Sequence, residues 1–297
     1  MAKFSNKNTL AFTSKQRRLK AIVAVLLALV IIFSVIILYD NFTLQVEHII
    51  ADNTKASALG GLKIAHISDY HNIKSEYIDS QIFEALDEHS PDLIFITGDL
   101  IDCNKTDVQK ALGFCKKLCE KAPVYYVTGN HECNFSILDQ TAFDNMLGSL
   151  QEMGVVVLRQ DVAEYTAENG EVVNIYGIDD PYFYCSYSKE ITDTTKKLCD
   201  ELTINTDEIN ILLAHHPEQL PVYAQFGFDF VFSGHVHGGQ GRIFNQGIIA
   251  PDQGFFPKYT GGCYVDGNTL LILSRGIGNS VVPVRVFNRP NLIFFEI

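Results

Sequence analysis

LKIAHIS, residues 62–68, runs without a break into Asp69-Tyr70-His71 and is bounded upstream by Gly60-Gly61. A short Ile-rich run of this kind, closed by polar residues, predicts a buried strand. The same pattern recurs. DLIFITG (92–98) leads to Asp99 and Asp102, and VYYVTG (124–129) leads to Asn130, His131 and Glu132. INILLAH (209–215) ends on His215, and FDFVFSG (228–234) leads to His235 and His237. VVVL (155–158) and VVNIYGI (172–178) are further apolar runs. Helical patterns lie between them, over 77–89, 105–121, 136–152 and 190–202. Strands alternating with helices specify βαβ units and a largely parallel sheet. After His235 the runs TLLILS (269–274) and NLIFFEI (291–297) come with Gly and Pro punctuation and little helix, which predicts a closing set of antiparallel strands. The simplest organisation is one α/β domain over 62–297.

Upstream of this domain the chain changes character. Residues 21–39, AIVAVLLALVIIFSVIILY, contain no charge, Gly or Pro. As a helix, these 19 residues rise about 28 Å, close to the roughly 30 Å hydrocarbon core of a bilayer. A buried core helix would show a polar face, and only Ser34 interrupts this one. A cleaved signal peptide would have a shorter apolar stretch and a small-residue site directly after it. Here Asp40-Asn41-Phe42 follows, and Ala56-Ser57-Ala58 lies too far downstream. The run therefore reads as an uncleaved signal anchor, with residues 40–61 as a linker.

Charge agrees. The 297-residue chain carries −12, yet its first 20 residues hold Lys3, Lys7, Lys15, Arg17, Arg18 and Lys20 and no acid. The rest of the chain therefore carries −18. A basic tail (1–20) ahead of an anchor predicts a cytoplasmic N-terminus and an extracytoplasmic domain in the cell membrane. The acidic remainder argues against coating nucleic acid. A hydrophobic fraction of 47% argues against disorder and against a multi-span transporter. The seven cysteines are an odd number and show no CxxC or zinc spacing, so mostly free, buried thiols are expected.

Five predicted strands thus deliver Asp, Asn or His to one edge, where open α/β sheets bind ligands. Carboxylate, amide and imidazole without thiolate suit borderline divalent metals such as Mn, Fe, Zn or Co. Two such ions roughly 3.5–4 Å apart can clamp a phosphoryl group. They need a shared ligand with two usable oxygens, a role that a central Asp such as Asp99 fits.

DYH (69–71), GDLID (98–102), GNHE (129–132), AHHP (214–217) and GHVHGG (234–239) resemble the five ordered motifs of the calcineurin-like metallophosphoesterases. The resemblance covers about 62–297. With SRGIGNS (274–280), Pro283 and Arg285, it is nearest to the membrane-anchored bacterial phosphodiesterase subgroup. It implies a four-layer α/β/β/α sandwich preceded by one N-terminal transmembrane helix. It implies two divalent metal ions, one held by Asp69, His71 and His237 and the other by Asn130, His215 and His235, bridged by Asp99. It implies a catalytic His131 beside the metals, and a metal-bound hydroxide attacking phosphorus in line with the leaving group. No other cofactor is implied. One departure is Asn72-Ile73-Lys74, where many members place Gly soon after the first His.

Blander readings attach to other residues. Asp102 is expected to support its loop, and His66 to be a core or rim residue. His48 and His89 are expected at the surface. His215 rather than His216 is the expected ligand, because it stands two residues before Pro217. Glu132 either orients His131 or solvates a loop. Asp179 to Tyr184 reads as a turn with packed aromatics more than as a substrate pocket. Arg242, Lys258 and Arg275 could bind a phosphate but read more readily as surface or ion-pair residues.

The function expected is a membrane-anchored, dimetal-dependent phosphoesterase, either a phosphodiesterase or a diphosphate hydrolase. Its expected substrate is a lipid- or envelope-linked phosphate. The competing readings are a non-catalytic anchored binding or regulatory protein that keeps the fold, and a nuclease using the same metals. The full set of seven ligand positions speaks against the first. The lack of a basic, aromatic-laced groove speaks against the second.

Overall fold

Buried alternation builds the domain. In the computed structural model, which describes residues 7–51, 60–167, 169–279 and 283–297, Lys63–Ile67 (β2), Leu93–Thr97 (β3) and Val124–Val127 (β4) pair in parallel. Their side chains point alternately to two faces. Ala65, Ile67, Ile94, Ile96 and Tyr126 pack with the helices Glu76–His89 (α2), Val108–Cys119 (α3) and Gln140–Glu152 (α5). Ile64, Leu93, Phe95, Tyr125 and Val127 face the other way, onto a second sheet. Because both faces are covered, these strands read as unbroken apolar runs.

The second sheet is centred on Val172–Gly177 (β7), Ile209–Leu213 (β8), Phe230–Ser233 (β9) and Thr269–Leu273 (β15), all parallel neighbours. Asp161–Thr166 (β6) and Gly262–Asp266 (β14) close its edges antiparallel. Its outer face packs Tyr176, Leu212, Val231 and Leu271 with Ile191–Asp200 (α6) and Leu220–Tyr223 (α7). The layers are therefore α/β/β/α, as expected. Four two-residue strands, Arg242–Ile243 (β10), Gln246–Gly247 (β11), Ile249–Ala250 (β12) and Gly254–Phe255 (β13), form two small ribbons beyond β9.

Several boundaries differ from the sequence reading. The 40–61 linker contains a strand: Gln45–Ile50 (β1) joins the first sheet parallel to Asn291–Glu296 (β16). As a half-exposed edge strand it lacks the strong apolar signal of the central ones. The C-terminal strands are not simply antiparallel. β16 lies antiparallel to β2, but β15 lies parallel to β9. The helix expected over 136–152 is two helices, Asn130–Leu138 (α4) and α5. They break at Asp139, whose carboxylate accepts the Ala142 N–H and caps α5. Val156–Val157 (β5) is shorter than its apolar run.

Lys7–Phe42 (α1) is one long helix, and the most apolar 18-residue stretch within 16–42 has a mean hydropathy of 3.4 and none of it buried. It is long and apolar enough to cross a membrane. The Ser34 hydroxyl donates to the Val30 carbonyl at 2.9 Å, so the one polar group inside the run is satisfied within the helix. The carboxyl end of α1 is docked on the domain. Asn41 exchanges two hydrogen bonds with the Arg285 backbone (2.8 and 2.9 Å), Asp40 accepts the Phe287 N–H, and Arg289 donates to the Tyr39 hydroxyl at 2.9 Å. Lys3, Ala56-Ser57-Ala58 and Ser280 lie outside the described residues, as do the side chains of Lys7 and Lys15.

All seven cysteines are free. Cys115, Cys133 and Cys199 are buried, whereas Cys103, Cys119 and Cys185 are half-buried and Cys263 is exposed, so burial is less general than expected. His66 is a core residue, with Nε2 2.8 Å from Thr97 Oγ1, and burial pushes it down to about 3. His48 is exposed, but His89 is half-buried, because the two rings and Phe294 pack together.

The sheets meet closely at Gly177. A Cβ there would stand 2.3 Å from Leu158 Cβ and 2.7 Å from Val127 Cγ1. Gly177→Ala is therefore expected to overpack the interface and lower stability by about 1–3 kcal/mol. Thermal unfolding of the purified full-length chain would read this as a reduced Tm.

Candidate metal centre

The carboxyl ends of β2, β3, β4, β8 and β9 lie along one edge of the two stacked sheets, and each carries the residues expected there. The loops after β2 and β3 are tied together: Asp69, His71 and Asn72 donate backbone N–H groups to the carbonyls of Gly98, Asp99 and Leu100. The turns are tight. Asp69, His71, Asp99, His235 and His237 all hold positive φ, between 47° and 72°. Asp and His tolerate this region better than most residues, and each such position still costs on the order of 1 kcal/mol. Gly98 has φ 87°, and a Cβ on it would lie 2.5 Å from His215 Nδ1, so only glycine fits between the strand end and the imidazole.

Among the described residues, four groups of potential ligand atoms result, and two of them share Asp99. Asp69, His71, Asp99 and His237 bring one donor atom each within 4.8 Å of one another, and so do Asp99, His215 and His235. Asp99 belongs to both. Its Oδ2 lies 3.2 Å from His215 Nε2 and 3.6 Å from His71 Nε2, while Oδ1 accepts the His131 N–H at 2.9 Å. Asn130 Oδ1 reaches His235 Nδ1 at 3.0 Å. All seven expected ligand positions are therefore brought together, with His131 beside them.

The donor atoms have the chemistry a metal needs. His215 Nδ1 donates to the Thr97 carbonyl at 2.7 Å, which leaves Nε2, buried and 3.2 Å from Asp99 Oδ2, as the ring atom turned toward the cluster. Such outer hydrogen bonds fix the tautomer of a ligating imidazole. His71 and His237 set their Nε2 atoms 3.1 Å apart, and burial pushes both down to about 3, into the neutral form that binds cations. Burial opposes charge on His215 too, but the Asp99 carboxylate outweighs it and holds His215 up at about 10. Burial likewise works against charged Asp99, and the surrounding His215, His131 and His71 keep it well below the usual carboxylate range. This is the balance of a site built around positive charge. Two divalent ions fit this donor set.

Structural roles replace several open readings. Glu132 neither touches solvent nor orients His131 through its side chain. Its carboxylate is fully buried and accepts the N–H groups of Asp99 (2.8 Å), Gly129 (2.7 Å) and Ile101 (3.1 Å). Burial and the nearby Asp99 charge push it up to about 8. Asp102 supports its loop, accepting the Asn104 N–H and standing 3.5 Å from His131 Nδ1. His216 is held by Asp180 (3.0 Å) and Glu218 (2.7 Å), away from the clusters' shared Asp99. Asp179 accepts from Thr128, Arg159 and Tyr184, and the turn after it packs as expected, although Tyr182 also lines the cavity. Arg242 is spent on the carbonyls of Gly238 and Thr260, Lys258 stands over the Tyr259 ring, and Arg275 lies 3.6 Å from Glu47.

Two residues went unassigned in the sequence reading. Asp252 accepts from His235 Nε2 (3.0 Å), Ser188 and Tyr182. Burial pushes its carboxyl up, but these bonds, led by His235, hold it below the usual range. The motif spacing offers no signal for it, since it stands in an ordinary Pro-Asp-Gln-Gly turn. Arg285, fully buried, donates to the carbonyls of Arg275 (2.9 Å) and Gly278 (2.6 Å) and lies 3.5 Å from His237 Nδ1. A cavity of about 460 Å³ opens over the clusters, walled by Asn130, His131, Tyr182, Gln240, Ile249 and Asp252 among others.

Known proteins point the same way. Residues 62–239 match the sequence model of the calcineurin-like phosphoesterases. In Bacillus subtilis (strain 168), the uncharacterized metallophosphoesterase YkoQ is 26% identical over 251 residues, spanning 80% of this chain and 83% of that protein. YkuE of the same organism, also an uncharacterized metallophosphoesterase, is 27% identical over 259 residues, 84% of each chain. An uncharacterized metallophosphoesterase of Aquifex aeolicus (strain VF5) is 25% identical and spans 87% of this chain and 93% of its own.

Glu132→Gln would turn one N–H donor toward backbone N–H groups and strand part of this network. The expected cost is about 1–3 kcal/mol, the range for an unsatisfied buried donor. Denaturant unfolding of the metal-free protein, measured above pH about 8 where Glu132 is ionised, would read it as a lower midpoint.

Proposed function

As the chain belongs to the calcineurin-like phosphoesterase family and is a metal-dependent phosphoesterase, we propose that it is a membrane-anchored dimetal phosphodiesterase or diphosphate hydrolase acting on a lipid- or envelope-linked phosphate. The observation that carries the reading is Asp99, shared by both ligand clusters at the head of the cavity. Asp69, His71 and His237 would hold one ion, Asn130, His215 and His235 the other, and Asp99 both. In such a site the ions supply Lewis acidity toward phosphoryl oxygen and lower the pKa of a water.

The chain's own residues do the rest. His131 Nδ1 accepts the Cys103 N–H at 3.1 Å, so in the neutral ring the proton sits on Nε2. His131 lines the cavity, and its Nε2–H can donate a hydrogen bond to a leaving oxygen and stabilise the negative charge that develops there. Glu132 fixes the turn that presents Asp99, and the His131 N–H orients its Oδ1. Bound cations would offset the local carboxylates, so an acidic domain can still take a single phosphate group. Residues 21–39 would anchor the chain, with the basic end in the cytoplasm and the domain outside. Tethering raises the local concentration of membrane-borne substrate.

Full-length protein loaded with Mn should hydrolyse an artificial phosphodiester and lose that activity on chelation. Asp99→Asn should lose metal and activity together. His131→Ala should lower turnover by about 10²–10³-fold, the range for loss of one donor to a developing oxyanion, with metal content unchanged. Activity that survives chelation would overturn the mechanism, and metal lost with His131 would make it a ligand. For topology, protease added to intact cells should digest the domain, and a protected domain would refute the outward orientation.

A further inference from the structure

The anchor enters the domain at the edge that carries the metal clusters. Gln45 at the start of β1 is level with Asn291, and β16 runs antiparallel to β2 with Ile293 opposite His66. The start of β1 therefore lies beside the carboxyl end of β2, where Asp69 stands. Asp40 and Asn41 of α1 are hydrogen-bonded to the loop around Arg285 and Phe287. That loop is bonded onward: Val286 bridges Gly241, and the Arg242 N–H donates to the Val286 carbonyl at 3.0 Å. From Arg242 the chain enters the small lobe of β10 to β13.

This lobe is unusually apolar on the outside. Phe244 is 100% exposed, Phe255 74%, Phe256 70% and Ile243 53%, and Phe287 in the connecting loop is 57% exposed. Scattered exposed apolar residues need no explanation, but bulky ones gathered on one lobe mark a contact surface. The same lobe supplies Ile249 and Asp252 to the cavity wall. A covalently continuous apolar helix, docked one hydrogen-bonded loop away, identifies what the surface meets.

We propose that the β10–β13 lobe rests in the interface of the bilayer that α1 crosses, with its phenylalanines among the upper acyl chains. The cavity then opens at the membrane surface, and the phosphoester that reaches it is the headgroup of a bilayer lipid. The membrane contact rests on the reading of residues 21–39 as an anchor, and the substrate class also rests on the proposed hydrolase activity.

The chain contains no Trp, so single reporters can be read without background. Phe244→Trp and Phe255→Trp replace exposed aromatic rings with another, and Ile50→Trp marks an exposed position (74%) at the far end of β1. Each full-length variant is reconstituted into phosphatidylcholine–phosphatidylglycerol vesicles, with and without brominated acyl chains, which quench indole only inside the bilayer. Both lobe reporters should lose roughly half their emission or more, as groups buried at the headgroup–acyl boundary do, while Ile50→Trp keeps its emission. Unquenched lobe reporters that behave like Ile50→Trp overturn the proposal. Blue-shifted but unquenched emission overturns it as well, because a protein surface rather than lipid would then cover the lobe. The readout requires neither metal nor turnover, so its failure is distinct from failure of the hydrolase reading.

Discussion

The fixed position of one carboxylate, that of Asp99, is the constraint on which the rest of the molecule depends. It sits in a left-handed turn that β3 can reach only through Gly98. Its backbone N–H is pinned by Glu132 and its Oδ1 by the His131 N–H. Those two partners begin α4, so the strand end after β3 and the helix start after β4 are locked together by a buried carboxylate rather than by apolar packing. The second sheet then brings His215 and His235 to the other side of the same oxygen atoms. A dimetal site made from both sheets requires that the sheets stack closely, and the close approach at Gly177 helps to set that distance.

Electrostatics follows from this arrangement. Neutral and cationic imidazoles coexist around Asp99 because burial governs His71 and His237, while the Asp99 carboxylate governs His215. Asp99 keeps its charge in a place where burial opposes it. That electrostatic tension is what bound cations would relieve, and it explains why a chain of net negative charge can hold a phosphate-directed site.

The parts of the fold visible in the sequence were those with strong local signals. Five apolar runs ending in Asp, Asn or His were legible because central parallel strands are buried on both faces and their carboxyl ends carry the chemistry. β1 was not, because QVEHII is half-exposed and its partner is the last strand of the chain. Glu132 was misread because nothing in GNHE reveals that its oxygens will collect backbone N–H groups from another loop. Asp252 and the buried Arg285 act through contacts 17 and 48 residues from the histidines they meet, a separation that no local motif encodes.

The strand order β1-β16-β2 also has a consequence for how the chain is completed. The slot between β1, the strand that follows α1, and β2 is filled by Asn291–Glu296. Until those residues emerge, β1 has no partner strand and the flank of β2 is open. This side of the sheet thus closes across a separation of 246 residues, and long-range pairings are intrinsically slow. Before that pairing, β1 and β2 would each present an unpaired edge. Loss of Asn291–Glu296 would leave β1 with no strand to pair with, so this one strand acts as the rivet between β1 and the rest of the sheet.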